Sequence, residues 1–450
     1  MPHWFTRYGW RLFIVLGLIS VLALAAACGG DDDDDDGGGT ATATQGGGSQ
    51  EPLKIGVLMS FTGALSDFGE PIYNGADMAA NEINAAGGVN GADIELVRGD
   101  DGTNPDTGVT EATRMVEVEG VSAIVGALSS GVSLQVAETV TGPAGVVQIS
   151  PASTSPGLSD ADDDDFLFRT TISDAAQGIL LGRLADEEGL TDICAMYINN
   201  AYGQGLSEAF DQNSDSVVAT VPHEDGAASY TSELQQCGSA TTLAALSYPE
   251  TAGIYLREAV EGGQFQNYIF SDGSKSDAML EDLGWVDFDG MRGTSPSSLP
   301  TEGVSPFNER YEAAYGELPP RPYIKEAYDA VYLIALAAVQ AGSNDGTDIR
   351  DALRDVANDD DGDTQADPGE EGFAAAVEAL DAGDNINYEG VIGPVEWDDA
   401  GDPTVGAIEF FTIDAPNKDL VTTNVFQVDL EAGEVTEITE LVLGTPTPAP

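Results

Sequence analysis

The chain has 450 residues, with 16 Lys plus Arg against 78 Asp plus Glu, giving a formal net charge of −62. A nucleic-acid partner is excluded, because neutralising phosphates needs a basic surface. The near-absence of lysine beside a surplus of aspartate suits a chain kept soluble in salty surroundings, and it speaks to solubility rather than to fold.

At the N-terminus Arg7 and Arg11 precede the apolar run LFIVLGLISVLALAAA at 12–27, and Cys28 follows. A basic start and 16 apolar residues describe a signal peptide, 1–27, better than a spanning helix of about 20 residues. Its removal makes the net charge −64, that is −62 − 2. Cys28 after small residues is similar to a bacterial lipobox, with Ala25 where leucine is usual. The expectation is a lipid on Cys28; the alternative is a signal cleaved nearby with Cys28 incidental. Residues 28–52, including DDDDDDGGGTATATQGGGSQ, have no apolar periodicity and read as a solvated linker. GTPTPAP at 444–450 reads as a disordered tail. No other segment is long and apolar enough to span a membrane, so the mature part is expected in an extracytoplasmic space, anchored to the cell membrane.

From residue 53 strand-like and helix-like runs alternate. LKIGVLM (53–59) reads as a central strand, ADMAANEINAA (76–86) as a helix ending at Gly87-Gly88, DIELVRG as a strand and TGVTEATRMVEVEG as a helix. The next strand ends at Gly126 and opens into GALSSG (126–131), where Ser129 and Ser130 stand at a strand end and a helix start. Unpaired N–H groups and a partial positive charge at a helix start stabilise a carboxylate. GVVQ leads likewise into ISPAST (149–154), where Ser153 and Thr154 add hydroxyls. Strand ends near a topological switch are where α/β folds bind ligands.

A second series begins at FRTTISD (168–174), with strands near 192–198, 216–221, 241–246, 267–271 and 290–293 and helices at 203–212, 250–262 and 276–283. After 294–296 come mainly helices, PFNERYEAAYG, YIKEAYDAVYLIALAAVQAG and FAAAVEALDAG, and the pattern of AIEFFTID and NVFQVDL then predicts an antiparallel pair. This order argues an α/β fold with parallel sheets covered on both faces. Roughly 390 residues suit two lobes rather than one core.

Cys194 lies in a strand and Cys237 just before the next, and consecutive strands of a βαβ unit are usually neighbours. Two readings stand: a bridge, or two buried free thiols. DDDGDTQADPGE (359–370) places Asp359, Asp361, Asp363 and Glu370 at calcium-loop positions, but Thr364 holds the place of the required glycine, so a solvated acidic loop is the better reading. A Ser-His-Asp enzyme lacks its parts: His3 leaves with the signal, His223 sits beside Pro222 in an expected loop, and no G-x-S-x-G elbow occurs. No enzyme activity, metal or cofactor is expected.

IGVLMSFTGALSDFGEPIYNGADMAANEINAAGGVNG (55–91) resembles the start of the Leu/Ile/Val-binding protein family, the type I periplasmic binding proteins that serve ABC importers. The resemblance runs on through VGALSSG, QISPASTSP, FLFRTTISDAAQG, NNAYGQGL, LSYPETAG, YIFSDGSK and NYEGVIGPVEWDDAGD, and covers nearly everything between about 53 and 430. It implies two interleaved doubly wound lobes, 53–170 plus 297–391 and 174–294 plus 395–443, joined by three crossings around a central cleft. It also implies the ligand contacts. Ser130 matches the serine that binds a substrate carboxylate, Ala152 and Thr154 match the pair that contacts carboxylate and ammonium, and Asp272 matches the acid, often glutamate, that pairs with the ammonium. Phe68 stands where a tyrosine is usual; Tyr202 and Tyr248 match aromatics of the second lobe, all three being expected in loops at the cleft. Thr103 and Ser129 stand where some relatives have a disulfide. The implied function is capture of an amino acid, branched-chain first, for an ABC importer by a monomeric lipoprotein. The alternative is a sensor of the same fold for amides, urea or other small polar solutes, reporting to a membrane receptor.

Overall fold

A computed structural model describes residues 51–301, 303–358 and 364–438. The expected signal peptide, Cys28, nearly all of the linker, the tail at 444–450 and the acids Asp359, Asp361 and Asp363 lie outside the described residues. The described residues belong to one compact unit.

Two sheets organise it. The first holds β1 (Leu53–Met59), β2 (Ile94–Asp100), β3 (Ala123–Gly126), β4 (Val147–Ser150) and β5 (Leu167–Arg169), in the order β2-β1-β3-β4-β5 and parallel throughout. All of β1 except Lys54 is buried, and so is every residue of β3 and β4. A strand covered by helices on both faces has no polar side, so its sequence reads as a continuous apolar run. The chain then enters the second sheet, in which β6 (Ile193–Ile198), β7 (Val217–His223), β8 (Thr242–Leu246), β9 (Asn267–Phe270) and β10 (Arg292–Ser297) are parallel. After β10 it returns to helices packed on the first sheet and to a small sheet of β11 (Thr364–Ala366), β12 (Ile386–Gly390) and β13 (Gly393–Pro394). It re-enters the second sheet as β14 (Val405–Asp414), β15 (Asp419–Asp429) and β16 (Glu434–Glu437), antiparallel to one another, with β14 antiparallel to β10. The fold is therefore α/β with two sheet-centred lobes, the second sheet mixed rather than purely parallel.

The helix Ile324–Ala341 is the central packing element. Tyr332, Leu333, Ile334 and Ala335 in its middle are all fully buried, and each large apolar side chain so placed contributes about 1.5–3 kcal/mol. The helix Ser66–Ala85 lies against its start: a Cβ on Gly75 would come within 2.2 Å of the Ile324 carbonyl oxygen, so only glycine allows the approach.

Several elements differ from the sequence expectation. The first helix begins at Ser66, ten residues before the expected 76, and runs through Pro71; the Asp67 carbonyl that Pro71 cannot serve accepts from Arg321 instead. That places Phe68 in a helical first turn, not a loop. Tyr202 is the second residue of the helix Ala201–Asn213, and Tyr248 is the residue just before the helix Pro249–Gly262. His223 ends β7 and is buried against the rings of Tyr230 and Tyr255. Within 359–370, Thr364–Ala366 form a strand and Glu370 begins a helix, so this stretch is not one loop. Among the described residues no cluster of three metal-ligating side chains occurs.

The sulfurs of Cys194 and Cys237 are bonded, with Cα atoms 5.4 Å apart and 43 residues of separation. A bridge closing a loop of that size stabilises by about 2–4 kcal/mol. Non-reducing peptide mass spectrometry should find the linked pair, and reduction should lower the denaturation midpoint accordingly. Two alkylatable thiols in the native protein would reject the bridge.

Candidate functional site

In each sheet the strand order reverses once, and both reversals open on the same cleft. In the first sheet the switch lies between β1 and β3; in the second it lies between β6 and β8. The crevice beyond such carboxyl ends is where open α/β sheets hold ligands. β1 leads to Leu65 and Phe68, β3 to Ser129 and Ser130, β6 to Tyr202, β8 to Tyr248, and β9 to Asp272.

The first wall is built from hydroxyls. Ser129 has the extended backbone of an N-cap, but its side chain makes no cap bond; its Oγ lies 3.1 Å from the Tyr248 hydroxyl. Ser130 opens the helix Ser130–Val136, which continues as a wider turn through Ala137–Thr141. Its Oγ accepts from the Ser155 N–H at 3.3 Å, which leaves the hydroxyl proton free to donate into the cleft. Ser153 is placed differently. Its hydroxyl is 2.8 Å from Ser133 Oγ and close to the Ala127 carbonyl, which also accepts from Ser133 and Ser150. Ser153 thus ties the two loops together behind the wall, while Ala152 lines the cleft itself. The Thr154 hydroxyl is buried with no hydrogen-bond partner.

The second wall carries the charge. Asp272 Oδ1 accepts from the Tyr202 hydroxyl at 2.8 Å and from Gln177 Nε2 at 2.9 Å; Oδ2 accepts from the Tyr323 hydroxyl at 2.5 Å. Gly273 makes room for this arrangement, since a Cβ there would meet the Tyr202 hydroxyl at 2.7 Å and the Ser247 carbonyl oxygen at 2.8 Å. Burial raises the pKa of Asp272, and the hydrogen bonds from Tyr323, Tyr202 and Gln177 oppose the rise. A second acid stands behind it. Asp174 is fully buried and neither of its carboxylate oxygens has a hydrogen-bond partner. Burial first, and the Asp272 charge second, raise its pKa well above the ordinary carboxylate range. Both acids of the pair are raised, Asp174 the further, so Asp174 is the first of the two to take a proton.

Leu65, Phe68, Ile72 and Leu128 supply an apolar side to the same space. Tyr202 and Tyr248 face it as stacked rings 5.5 Å apart. The free volume is about 20 Å³, close to what one water needs, so the walls are closed on each other. Bonds across the cleft hold them there: Tyr323 to Asp272, Ser129 to Tyr248, Ser276 Oγ to Asp67 at 3.0 Å, and Arg321 to Asp277 at 2.7 Å.

The structure therefore gathers Phe68, Ser130, Ala152, Tyr202, Tyr248 and Asp272 around one space, with Ser129 bonded at its edge and Ser153 behind it, while Thr154 does not line that space and its side chain lies toward Asp174. Sequence reasoning missed Asp174, Gln177 and Tyr323. Asp174 and Gln177 sit in FRTTISDAAQG, one helical turn apart, and a polar pair at a helix start within that motif was the available signal. Tyr323 had none: it lies in the run PRPYIKEAYD, which reads as a helix start, and adopts a left-handed φ of 78°. For a tyrosine that conformation costs about 1–2 kcal/mol.

The sequence profile of the family described as "Periplasmic binding protein" matches residues 52–367. The chain is 28% identical over 313 residues to Leu/Ile/Val-binding protein homolog 2 of Brucella abortus, covering 67% of this chain and 82% of that protein. It is 25% identical over 368 residues to the chemotactic signal transduction system substrate-binding protein BasB of Halobacterium salinarum, covering 79% and 86%. Among solved structures, the branched-chain amino acid transporter substrate-binding protein LivJ of Streptococcus pneumoniae, in complex with isoleucine, superimposes with a TM-score of 0.68 at 24% identity, covering 86% of this chain and 100% of that one. These relatives are binding proteins, not enzymes. The two switch points opening on one two-walled cleft and the match over most of the chain agree: this chain belongs to the periplasmic binding protein family, as a substrate-binding protein of the type I fold.

Proposed function

We propose that this protein captures an α-amino acid with an aliphatic side chain, branched-chain first, and delivers it to an ABC importer. The observation that carries the reading is the division of charge between the walls. The Ser130 hydroxyl and the helix start face one side of the space, and Asp272 faces it from the other, with apolar side chains between. The carboxylate rests on Ser130, Thr154 and backbone N–H groups, and the ammonium on Asp272 and the Ala152 carbonyl. Phe68, Leu65, Ile72 and Leu128 enclose the side chain. Only a closed cleft satisfies both charges of the zwitterion, which gives closure its cause. In the closed cleft the Tyr323 hydroxyl takes the Asp272 oxygen that an ammonium needs, so entry of ligand displaces it.

The test is a thermal-shift screen of amino acids, amides and urea, followed by calorimetry of the best hit. Leucine, isoleucine or valine should raise the unfolding midpoint most. Stabilisation by an amide or urea and not by any amino acid would overturn the reading. The sensor reading keeps one supporting observation, the resemblance to a chemotactic substrate-binding protein over 79% of the chain. Crosslinking in membranes separates the two: a permease partner supports import, a receptor partner supports sensing.

Lipid anchoring at Cys28 belongs to the same reading and rests on the sequence. Cys28→Ser should release the protein from membranes or leave it unprocessed, as read by fractionation and mass. An unchanged membrane fraction with unchanged mass rejects it.

A further inference from the structure

Beside the cleft, and sharing Tyr323 with it, lies a second cavity of about 210 Å³. It gathers an uncommon resource. The chain has only four lysines, Lys54, Lys275, Lys325 and Lys418, and two of them, Lys275 and Lys325, line this space together with Arg321, Glu326, Glu409 and Ser297.

Most of these charges are already matched. Lys275 pairs with Glu409, which also accepts from the Thr422 hydroxyl, and Arg321 is held by Asp277 and the Asp67 carbonyl. Two are not. Lys325 is the one lysine that has neither a hydrogen bond nor an ion pair among the described residues, whereas Lys54, Lys275 and Lys418 each have a partner. Glu326, 4% exposed, accepts no hydrogen bond from another residue at its carboxylate. The two residues are adjacent in the first turn of the helix Ile324–Ala341, which has no side-chain cap. Neighbouring side chains on a helix diverge by about 100° and do not face each other, so Lys325 and Glu326 form no ion pair and feel each other's charge only at a distance. Burial lowers the pKa of Lys325 and raises that of Glu326 to about 7. Each charged form thus gains from an added partner.

We infer that this cavity is a second binding site, for a small zwitterion whose carboxylate meets Lys325 and whose ammonium meets Glu326. A lone anion would leave Glu326 unmatched and would approach against the field of a chain of charge −62. A lone cation would meet Lys325. A zwitterion is neutral overall and matches both. The site is not isolated from the cleft. Tyr323 lines both cavities, and the turn Asp272–Lys275 places an acid in one and a lysine in the other. Ser297, where the chain leaves the second sheet, lines the new cavity as well. Occupancy of one site therefore bears on the same segments that form the other, and by reciprocity each ligand alters the affinity for its counterpart.

The test uses the full chain and glycine as probe, by ligand-observed NMR titration. To silence the cleft, it is made in Asp272→Asn. Glycine should still bind, and Lys325→Gln or Glu326→Gln added singly should each weaken it at least tenfold, with Lys325→Arg restoring most of the loss. Acetate or methylammonium alone should bind at least tenfold more weakly than glycine. Far-UV circular dichroism of each variant shows whether it is folded, and the two Gln variants report independently. Loss of all glycine binding in Asp272→Asn, unchanged binding in both Gln variants, or acetate binding equal to glycine would each overturn the inference. Loss of all glycine binding in Asp272→Asn would leave the cleft as the one glycine site, so the failure of this inference is distinguishable from failure of the cleft reading, which the amino-acid screen decides.

Discussion

Asp272→Asn weakens binding of the amino acid at least a hundredfold in calorimetric titration. The carboxylate is buried, and an ammonium brought to it makes a charge-assisted hydrogen bond. Removing one partner of a buried pair costs about 3–5 kcal/mol, and each tenfold in affinity is about 1.4 kcal/mol. Asparagine keeps the shape and one acceptor oxygen for Tyr202 and Gln177, so the empty protein stays folded. Asp174 sharpens the test. Of the pair it is the first to take a proton, so Asp174→Asn alone should cost much less than Asp272→Asn. With Asp272 neutralised, one of the two causes that raise the Asp174 pKa is gone, and Asp174 becomes the residual acid. The double variant should therefore bind more weakly than Asp272→Asn. Ser130→Ala should cost only about tenfold, because backbone N–H groups still hold the carboxylate. Wild-type affinity in Asp272→Asn would mean that the ligand carries no ammonium at this position.

Arg169→Met destabilises the unliganded protein by about 3–5 kcal/mol, the cost of leaving one partner of a buried ion pair alone. Arg169 is 1% exposed. Its Nε donates to Asp402 at 2.6 Å and its Nη1 to the carbonyls of Ser155 at 3.0 Å and Ser153 at 3.3 Å. It thus clamps the loop that presents Ala152 and Thr154 to a turn far along the chain, and Trp397 donates back to the Arg169 carbonyl at 2.7 Å. Urea denaturation reads the loss directly. The pair Arg169→Met with Asp402→Leu should recover part of it, since apolar groups leave no stranded charge. A loss below about 1 kcal/mol in the single variant would show that water replaces the guanidinium and that the loop does not depend on it.

Much of this protein is written locally. Buried parallel strands are continuous apolar runs, so LKIGVLM and its successors are legible without neighbours. The serines after β3 and β4 declare a ligand loop because strand ends and helix starts offer unpaired N–H groups wherever they occur. The order of the motifs is enough to suggest the family. What the sequence left undetermined is whatever depends on distant partners. Ser153 and Ser130 look alike in their loops, and only the packing of Ser133 against Ser153 turns one hydroxyl inward and leaves the other at the cleft. Asp174 reads as an ordinary helix-start acid until the fold buries it beside Asp272. Tyr323 enters the site because a left-handed turn, held by surrounding structure, aims it across to the opposite wall, and no local preference of tyrosine leads there. Elements follow from short-range sterics and hydrophobic periodicity, which the sequence carries by itself. The protonation of the acid pair, the closed walls and the unmatched charges beside Tyr323 follow from burial, which only the tertiary structure decides.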